Sequence, residues 1–408
     1  MMTSSFASKS LQIAVLTGLC IAGLAIYHQN RVFGASGPIE PQRYGYRVLA
    51  LIESGNLLLF PVVQTSKEVA SPFITLDEGL KSGEVEVTEA GRVRGLVRPR
   101  PSQNRGLDGG VARPVPQSRG DQVNTLVLVN NAKRPLLLLA GEIVTGGKQD
   151  RVIARDRIVP GGSDPIDLGV FCIEPGRWTE DTASFRSSAK SSAQSIMVQP
   201  MVREKAMVAK DQHEVWDSVH GAIGGALNAP AASTDTVQVT ADAADLDTTS
   251  YARAMQNGAL SAKVDEAAAS TSKSREKILN QLRQEHAIGV VVAIHDEIVW
   301  ADLFADTDLL ARYWTKLVRS YAAETLMQTA GRGSATVADA QHFLDAPSGG
   351  TETSIGDVGV YRYLELRSAS TETFVLESLL PGTGYDVHLS KLKLRGDVRG
   401  AASQLIRR

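Results

Sequence analysis

The hydrophobic residues of this 408-residue chain form short runs of strand length towards both ends, with helical patterns between them. Continuous or alternating apolar positions over about four to eight residues are typical of strands. They predict strands at residues 56–63, 84–89, 125–130, 136–144, 166–172, 288–294, 298–304, 358–366, 373–379 and 385–394. Pro61 interrupts the first run, and because proline cannot donate to a strand ladder, we expect an edge or a bend there.

Helical spacing of apolar residues is clearest in residues 308–329, where one face is apolar over the whole segment. Weaker helical patterns occupy residues 74–83, 200–227, 251–255, 262–285 and 336–345. Strands grouped towards both ends, with helices between them, predict an α+β fold. We expect a β-rich core, built as a mostly antiparallel sheet or barrel with several helices around it.

The N-terminus carries a targeting pattern. Lys9 precedes an uncharged run at residues 11–27, which as a helix would be about 26 Å long. We therefore predict an N-terminal hydrophobic helix, with residues 1–35 as a signal peptide or membrane anchor. The rest would be exported to a periplasmic or extracytoplasmic location, either secreted or held to the membrane through residues 11–27. The alternative is a buried helix of a cytosolic fold.

Changes in composition divide the remainder of the chain. Residues 36–227 form a β-rich half that contains an arginine-rich loop at 92–119, with seven arginines, four prolines and four glycines. The loop is predicted to be a solvated insertion, and the alternative is a contact for an anionic surface. Residues 228–248 read as a linker. Residues 249–408 supply helices and C-terminal strands, which we expect to pack with the first half as one domain.

Charge and cysteine content exclude several classes of function. The formal net charge of -2 argues against a generally basic nucleic-acid binder, so we expect no specific nucleic-acid binding. The two cysteines are Cys20, inside the N-terminal apolar run, and Cys172, so the folded part can form neither an internal disulfide nor a cysteine-based zinc site. The sequence contains no phosphate loop, dinucleotide fingerprint, nucleophile elbow or standard metal motif. We therefore expect no metal and no organic cofactor.

The first cluster of candidate functional residues surrounds Gly146–Gly147, which reads as a two-residue hairpin turn. That turn would place Thr145 opposite Lys148 and Glu142 opposite Arg151, so that Glu142, Gln149 and Arg151 share one face. One interpretation is a polar pocket, in which the Glu142 carboxylate acts as a general base beside an anion-binding guanidinium. The other is a cross-strand ion pair that fixes the register of the hairpin.

The second cluster is the segment CIEPGRW at residues 172–178. Cys172 falls on the apolar face of a strand and is expected to be a small core residue. Glu174, Arg177 and Trp178 follow the strand end, where an arginine beside a tryptophan suits a planar or anionic ligand. The alternative is a lid over the core, with Glu174 as the ion-pair partner of the arginine.

Two further polar sets have mainly structural interpretations. His213, Asp217 and His220 share one face of a predicted helix and could offer three metal ligands, although a solvated helical face fits the spacing better. Asp302 and Asp306 flank the end of a buried strand, where they are expected to serve as helix N-caps.

Five blocks of the sequence resemble a known family. They are ITLDEGLKSGEVEVTE, LLLLAGEIVTGGKQDRVI, VFCIEPGRW, VVVAIHDEIVWADLFAD and LLARYWTKLVRSYAAE. The chain resembles, over most of residues 45–395, a bacterial and archaeal domain of uncharacterised activity. The family is named for its association with ADP-ribosylglycohydrolase and rhodanese-phosphatase proteins. Asp150 and Pro175 depart from its usual asparagine and glutamine. The resemblance implies a link to ADP-ribose or nucleotide chemistry, without a mechanism.

We predict that the chain binds a small or polymeric ligand, anionic or polar, through the loops AGEIVTGGKQDR and CIEPGRW. The predicted ligand-binding residues are Glu142, Lys148, Gln149, Arg151, Glu174, Arg177 and Trp178. A first alternative is a hydrolase, acting on an ADP-ribose- or phosphate-containing substrate, with Glu142 or Glu174 as the general base. A second alternative is an envelope scaffold or interaction protein.

Overall fold

The computed structural model describes a defined part of the chain. The described residues are 45–54, 57–64, 72–90, 96–97, 113–114, 125–147, 149–174, 185–187, 196–228, 251–256, 258–267, 272–327, 334–348, 350–383 and 386–394. The apolar run at 11–27, most of the loop at 92–119 and most of the linker at 228–248 lie outside these residues. Within the described residues, no helix is both long enough and apolar enough to cross a bilayer.

The strands are β1 (Tyr46–Val48), β2 (Ile52–Ser54), β3 (Leu57–Gln64), β4 (Ile74–Thr75), β5 (Val85–Glu89), β6 (Leu96–Val97), β7 (Arg113–Pro114), β8 (Thr125–Asn130), β9 (Leu136–Leu138), β10 (Ile143–Gly146), β11 (Arg151–Ile153), β12 (Arg157–Val159), β13 (Ile166–Cys172), β14 (Phe185–Ser187), β15 (Gly289–Ile294), β16 (Glu297–Phe304), β17 (Thr351–Asp357), β18 (Tyr361–Arg367), β19 (Thr371–Ser378) and β20 (Asp386–Lys393). The α-helices are α1 (Leu76–Ser82), α2 (Pro200–Glu204), α3 (Gln212–Asn228), α4 (Tyr251–Gln256), α5 (Gly258–Ala267), α6 (Ser272–Gln284), α7 (Thr307–Thr325) and α8 (Val337–Asp345).

The strands form mostly antiparallel sheets. The largest sheet has the order β1-β3-β15-β16-β20-β19-β18-β17, with β2 also paired to β3, and it combines strands from both sides of residues 228–248. A second sheet has the order β14-β10-β11-β13-β8-β5, and a third the order β12-β9-β4. The β4–β9 pair is parallel. The prediction of a β-rich α+β fold with mostly antiparallel strands is therefore confirmed.

Of the two alternatives predicted for Pro61, an edge or a bend, the edge is wrong, because β3 is paired on both sides. Its neighbours are β15 on one side and β1 with β2 on the other. Pro61 lies where the neighbour changes from β1 to β2, and its carbonyl accepts a hydrogen bond from the Leu49 amide at 2.8 Å. The amide hydrogen that proline lacks would point to the same side as this carbonyl, so the ladder to β15 is unaffected.

Two predicted helices are confirmed, although the one predicted at 74–83 begins at Leu76 and the one predicted at 308–329 ends at Thr325. In α1, the Thr75 side chain accepts a hydrogen bond from the Glu78 amide, and the Glu78 carboxylate accepts one from the Thr75 amide, while Gly83 ends the helix at a φ of 75°. Helix α7 begins after Asp306, whose carboxylate accepts a hydrogen bond from the Leu309 amide at 2.7 Å. The apolar face of α7 packs in the main core.

The predicted helix at 200–227 is interrupted. Helix α2 passes into a π-helical turn at Lys205–Ala209, and Lys210 then adopts a left-handed φ of 55° before α3 begins. The chain leaves this π turn at Lys210, which lines a cavity described below. Strand β17 is a further difference, since its sequence TETSIGD is too polar to show a strand pattern.

Candidate functional site

The turn between β9 and β10 connects two buried networks of charged residues. The Leu139 amide donates to Glu142 Oε2 at 2.7 Å, and the Ala140 amide donates to Asp156 Oδ1 at 2.7 Å. Gly141 has a φ of 93°, and a Cβ atom there would lie 2.6 Å from Cγ of Arg203. The turn therefore requires glycine, both for its backbone conformation and for the close approach of Arg203.

Glu142 belongs to the first network, which is almost completely buried. Its Oε1 accepts a hydrogen bond from Lys316 Nζ at 2.6 Å, and the same ammonium group also bonds the carboxylate of Asp77. Burial raises the pKa of Glu142, although the nearby Lys316 charge opposes this rise. Burial lowers the pKa of Lys316, but the two carboxylates outweigh it, so the pKa is raised and the ammonium group stays charged.

Arg151 lies in a different buried cluster. Its Nη2 is 3.8 Å from Glu89 Oε1 and its Nη1 is 3.5 Å from Gln149 Oε1. Close to it along the chain, the Asp150 amide donates to Glu174 Oε2 at 2.7 Å. The structure thus places Gln149, Arg151 and Glu174 in one region, whereas the hydrogen bonds of Glu142 go to Lys316 and Leu139. The predicted pair between Glu142 and Arg151 is not formed.

The reason is that the predicted two-residue turn at Gly146–Gly147 is wrong. Val144 pairs with Arg151 and Ile143 pairs with Val152, so the register differs by two positions from the prediction. The connection is longer because the Asp150 carboxylate accepts a hydrogen bond from the Gly146 amide at 3.1 Å, which closes a wider loop.

The remaining predicted residues have different outcomes. Lys148, Arg177 and Trp178 lie outside the described residues. Cys172 is a buried core residue, as predicted, and burial raises the pKa of its thiol to about 11, which leaves it an unreactive thiol at neutral pH.

The helical face that carries His213, Asp217 and His220 is exposed to solvent, as the preferred interpretation predicts. Within the part of the chain that the structure describes, no group of three or more histidine, cysteine or acidic residues is arranged to hold a metal ion.

Sequence reasoning missed the second network. His388 Nδ1 lies 2.6 Å from Asp156 Oδ2, and His388 Nε2 lies 3.3 Å from Asp302 Oδ1. Arg203 donates hydrogen bonds from Nη1 and Nη2 to the two carboxylate oxygens of Asp302, at 2.9 and 3.1 Å respectively. Tyr321 and Ser390 donate their hydroxyl groups to the same carboxylate. Asp302 is therefore a network residue of β16, which corrects its predicted role as an N-cap.

Electrostatic coupling in this network keeps its histidine charged. Burial lowers the pKa of His388, but the carboxylates of Asp156 and Asp302 outweigh that effect and raise the pKa to about 9. Burial raises the pKa of Asp302, and the Arg203 and His388 charges outweigh it, so this pKa lies well below its usual range. At neutral pH, Arg203 and His388 are therefore positively charged and Asp302 is negatively charged.

A cavity of about 220 Å³ lies beside this network and shares Asp156 with it. We call it the cationic cavity, because Arg155, Arg157 and Lys210 line it together with Asp156. Its other lining residues are Ala154, Leu168, Gly169, Phe171, Ala206 and Tyr361.

The three cationic side chains of the cavity differ in their burial and in their hydrogen-bond partners. Arg157 is only 6% exposed and donates from Nη1 to the Asp167 carbonyl at 2.8 Å, while its Nε has no hydrogen-bond partner among the described residues. The side chains of Arg155 and Lys210 are 30% and 35% exposed. Both approach the carboxylate of Glu365, at 3.7 and 2.5 Å respectively. The cavity thus combines a buried guanidinium with two cations that solvent can reach.

Comparison with known proteins gives one positive result. The family model described as the ARG and Rhodanese-Phosphatase-superfamily-associated Protein domain, ARPP-1, matches residues 45–392, which is most of the chain. No curated protein and no solved structure matches.

Proposed function

The chain belongs to the ARPP-1 domain family, and from that premise we propose that its function is to bind a small anionic ligand in the cationic cavity. The single observation that carries the proposal is that three cationic side chains, Arg155, Arg157 and Lys210, line one cavity together with Asp156. Guanidinium and ammonium groups bind anionic oxygens through charge-assisted hydrogen bonds.

The charges around the cavity support the same proposal. Arg155, Arg157 and Lys210 contribute three positive charges, while Asp156 and Glu365 contribute two negative ones. Asp156 is already paired with His388, and Glu365 is shared between Arg155 and Lys210. Among the residues that line the cavity, the three cations thus outnumber the carboxylate of Asp156, which favours the binding of anions.

The cavity also relates to the loops that the sequence singles out. Arg155, Asp156 and Arg157 follow the loop AGEIVTGGKQDR within a few residues, and Asp156 anchors the turn that contains Glu142. Glu142 and Arg151 are buried and bonded to other side chains. We therefore assign ligand contact to the arginines after the loop, and ligand contact by Lys148, Arg177 and Trp178 remains a prediction.

Titration calorimetry of the full chain with inorganic phosphate tests the proposal. We expect the parent protein to bind phosphate, and the double variant Arg155→Gln with Lys210→Gln to bind it at least about tenfold more weakly, which corresponds to about 1.4 kcal/mol. The matched control is Lys133→Gln, an exposed lysine outside the cavity lining, which should bind like the parent. A parent protein that takes up no phosphate, or a double variant that binds as the parent does, would contradict the proposal.

We further propose that the domain is exported, on the basis of Lys9 and the uncharged run at 11–27. Fusing residues 1–45 to a reporter that works only outside the cytoplasm should give activity. The same fusion without residues 11–27 serves as the control and should be inactive. An inactive full fusion would refute export.

A further inference from the structure

The proposed anion site does not by itself identify the chemical class of the ligand. The residues that line the cavity indicate which class fits. Resting on the proposed function, we propose that the ligand is a phosphate monoester whose phosphoryl group carries a small apolar or aromatic ring. Three features of the cationic cavity support this class: a lining that combines cations with a half-buried aromatic ring, its size, and the presence of a competing carboxylate.

The lining combines charged side chains with a half-buried aromatic ring. Arg155, Arg157 and Lys210 supply the charges, and Phe171 supplies apolar surface. Phe171 is only half-buried although it lies in the inner strand β13. Gly169, which has no side chain, leaves space in the same lining. An inorganic anion would leave the exposed part of the Phe171 ring in contact with water, whereas a ring on the ligand would bury it.

The cavity is also larger than an inorganic oxyanion requires. Its volume of about 220 Å³ corresponds to roughly seven water molecules at their volume in the liquid. A single tetrahedral oxyanion held by the guanidinium groups leaves part of this space unfilled. This remaining space can hold a small ring, for which Phe171 in the lining offers an aromatic contact.

Glu365 favours a dianion over a monoanion. Its carboxylate already lies against both Arg155 and Lys210, so any ligand that uses these two cations competes with an internal monoanion. A carboxylate ligand offers the same single charge as Glu365 and gains little by replacing it. A phosphate monoester carries a charge of about -1.5 to -2 at pH 7 and offers three acceptor oxygens, so it competes successfully.

The test compares three probes by titration calorimetry on the full chain: phenyl phosphate, inorganic phosphate and benzoate. We expect phenyl phosphate to bind at least tenfold more tightly than either of the others. The variant Phe171→Leu should lose most of the preference for phenyl phosphate over inorganic phosphate. Phe343→Leu, at a phenylalanine outside the cavity lining, is the matched control and should retain the preference.

The outcomes separate this inference from the proposed function. If no anion binds, the proposed function fails. If inorganic phosphate binds as tightly as phenyl phosphate, anion binding in the cavity is supported, but the proposal that the ligand carries a ring is refuted. If benzoate binds as tightly as phenyl phosphate, the proposal that the ligand carries a phosphoryl group is refuted. The comparison of probes on the parent protein needs no variant, so it decides the inference even where Phe171→Leu fails to fold.

Discussion

Replacing Arg203 with methionine should lower the free energy of unfolding by about 3–5 kcal/mol. The Arg203 side chain is completely buried, holds both oxygens of Asp302 and lies 4.5 Å above the ring of Trp300. Removing it leaves a buried carboxylate with His388 as its remaining charged neighbour in the network. Urea unfolding of the variant and the parent measures the difference.

The nearby ion pair between Lys205 and Glu214 provides the matched control. It has a similar distance of 3.0 Å but its side chains are 28% and 44% exposed, so Lys205→Met should cost about 0–1 kcal/mol. The double variant Arg203→Met with Asp302→Asn should cost less than the sum of the two single variants, since the second change removes the charge left unpaired by the first. A loss below about 1 kcal/mol for Arg203→Met would show that the pair does not support the fold.

The stability of the protein should fall as the pH rises from neutral to alkaline values, because His388 then loses its proton. Its pKa is about 9 in the folded protein against an ordinary value of 6.5, so the folded state binds this proton more tightly than the unfolded state. The resulting stabilisation is complete below about pH 6.5 and is lost as the pH rises through about 9. It amounts to about 3 kcal/mol.

The measurement is the free energy of unfolding of the parent and of His388→Gln between pH 6 and pH 9.5. The difference between the two proteins should shrink towards the alkaline end. Lys391, whose pKa burial lowers to about 8, contributes with the opposite sign in the same range, since its unfavourable buried charge is relieved as the pH rises. This contribution is common to both proteins and cancels. A difference that stays constant over the whole range would mean that His388 is not charged in the folded protein.

Local patterns in the sequence were sufficient for the elements whose partners lie close along the chain. Helix α1 was predictable because its stop signal, Gly83, lies inside the segment. Helix α7 was predictable because its apolar face repeats over five turns. The hairpin of β15 and β16 was recognisable because two apolar runs flank a short polar turn, where His295 and Asp296 adopt a positive φ.

The predictions failed where distant residues determine the structure. The register of β10 and β11 depends on a loop closed by Asp150, whose amide is held in turn by Glu174, 24 residues further along. Asp156 and His388 meet across 232 positions, and no spacing within either segment indicates this contact. The helix predicted at residues 200–227 is interrupted at Lys210, after a π turn. The apolar pattern of these residues is continuous and does not indicate the interruption.

The cationic cavity could have been suspected from the sequence RVIARDRIV. Three arginines and an aspartate within a buried apolar run need partners or a ligand, because an unpaired buried charge is costly. What the sequence could not supply was the contribution of Lys210, Phe171 and Tyr361, which three other elements bring to the same space.

The turn at residues 139–142 also constrains the order in which the chain can fold during its synthesis. A nascent chain that has emerged only as far as residue 250 contains Glu142, Asp156 and Arg203, but not the residues that neutralise them. Lys316, Asp302 and His388 all follow later, and so does β15, the partner strand of β3. We infer that the first half stays incompletely folded on the ribosome until the second half has been made.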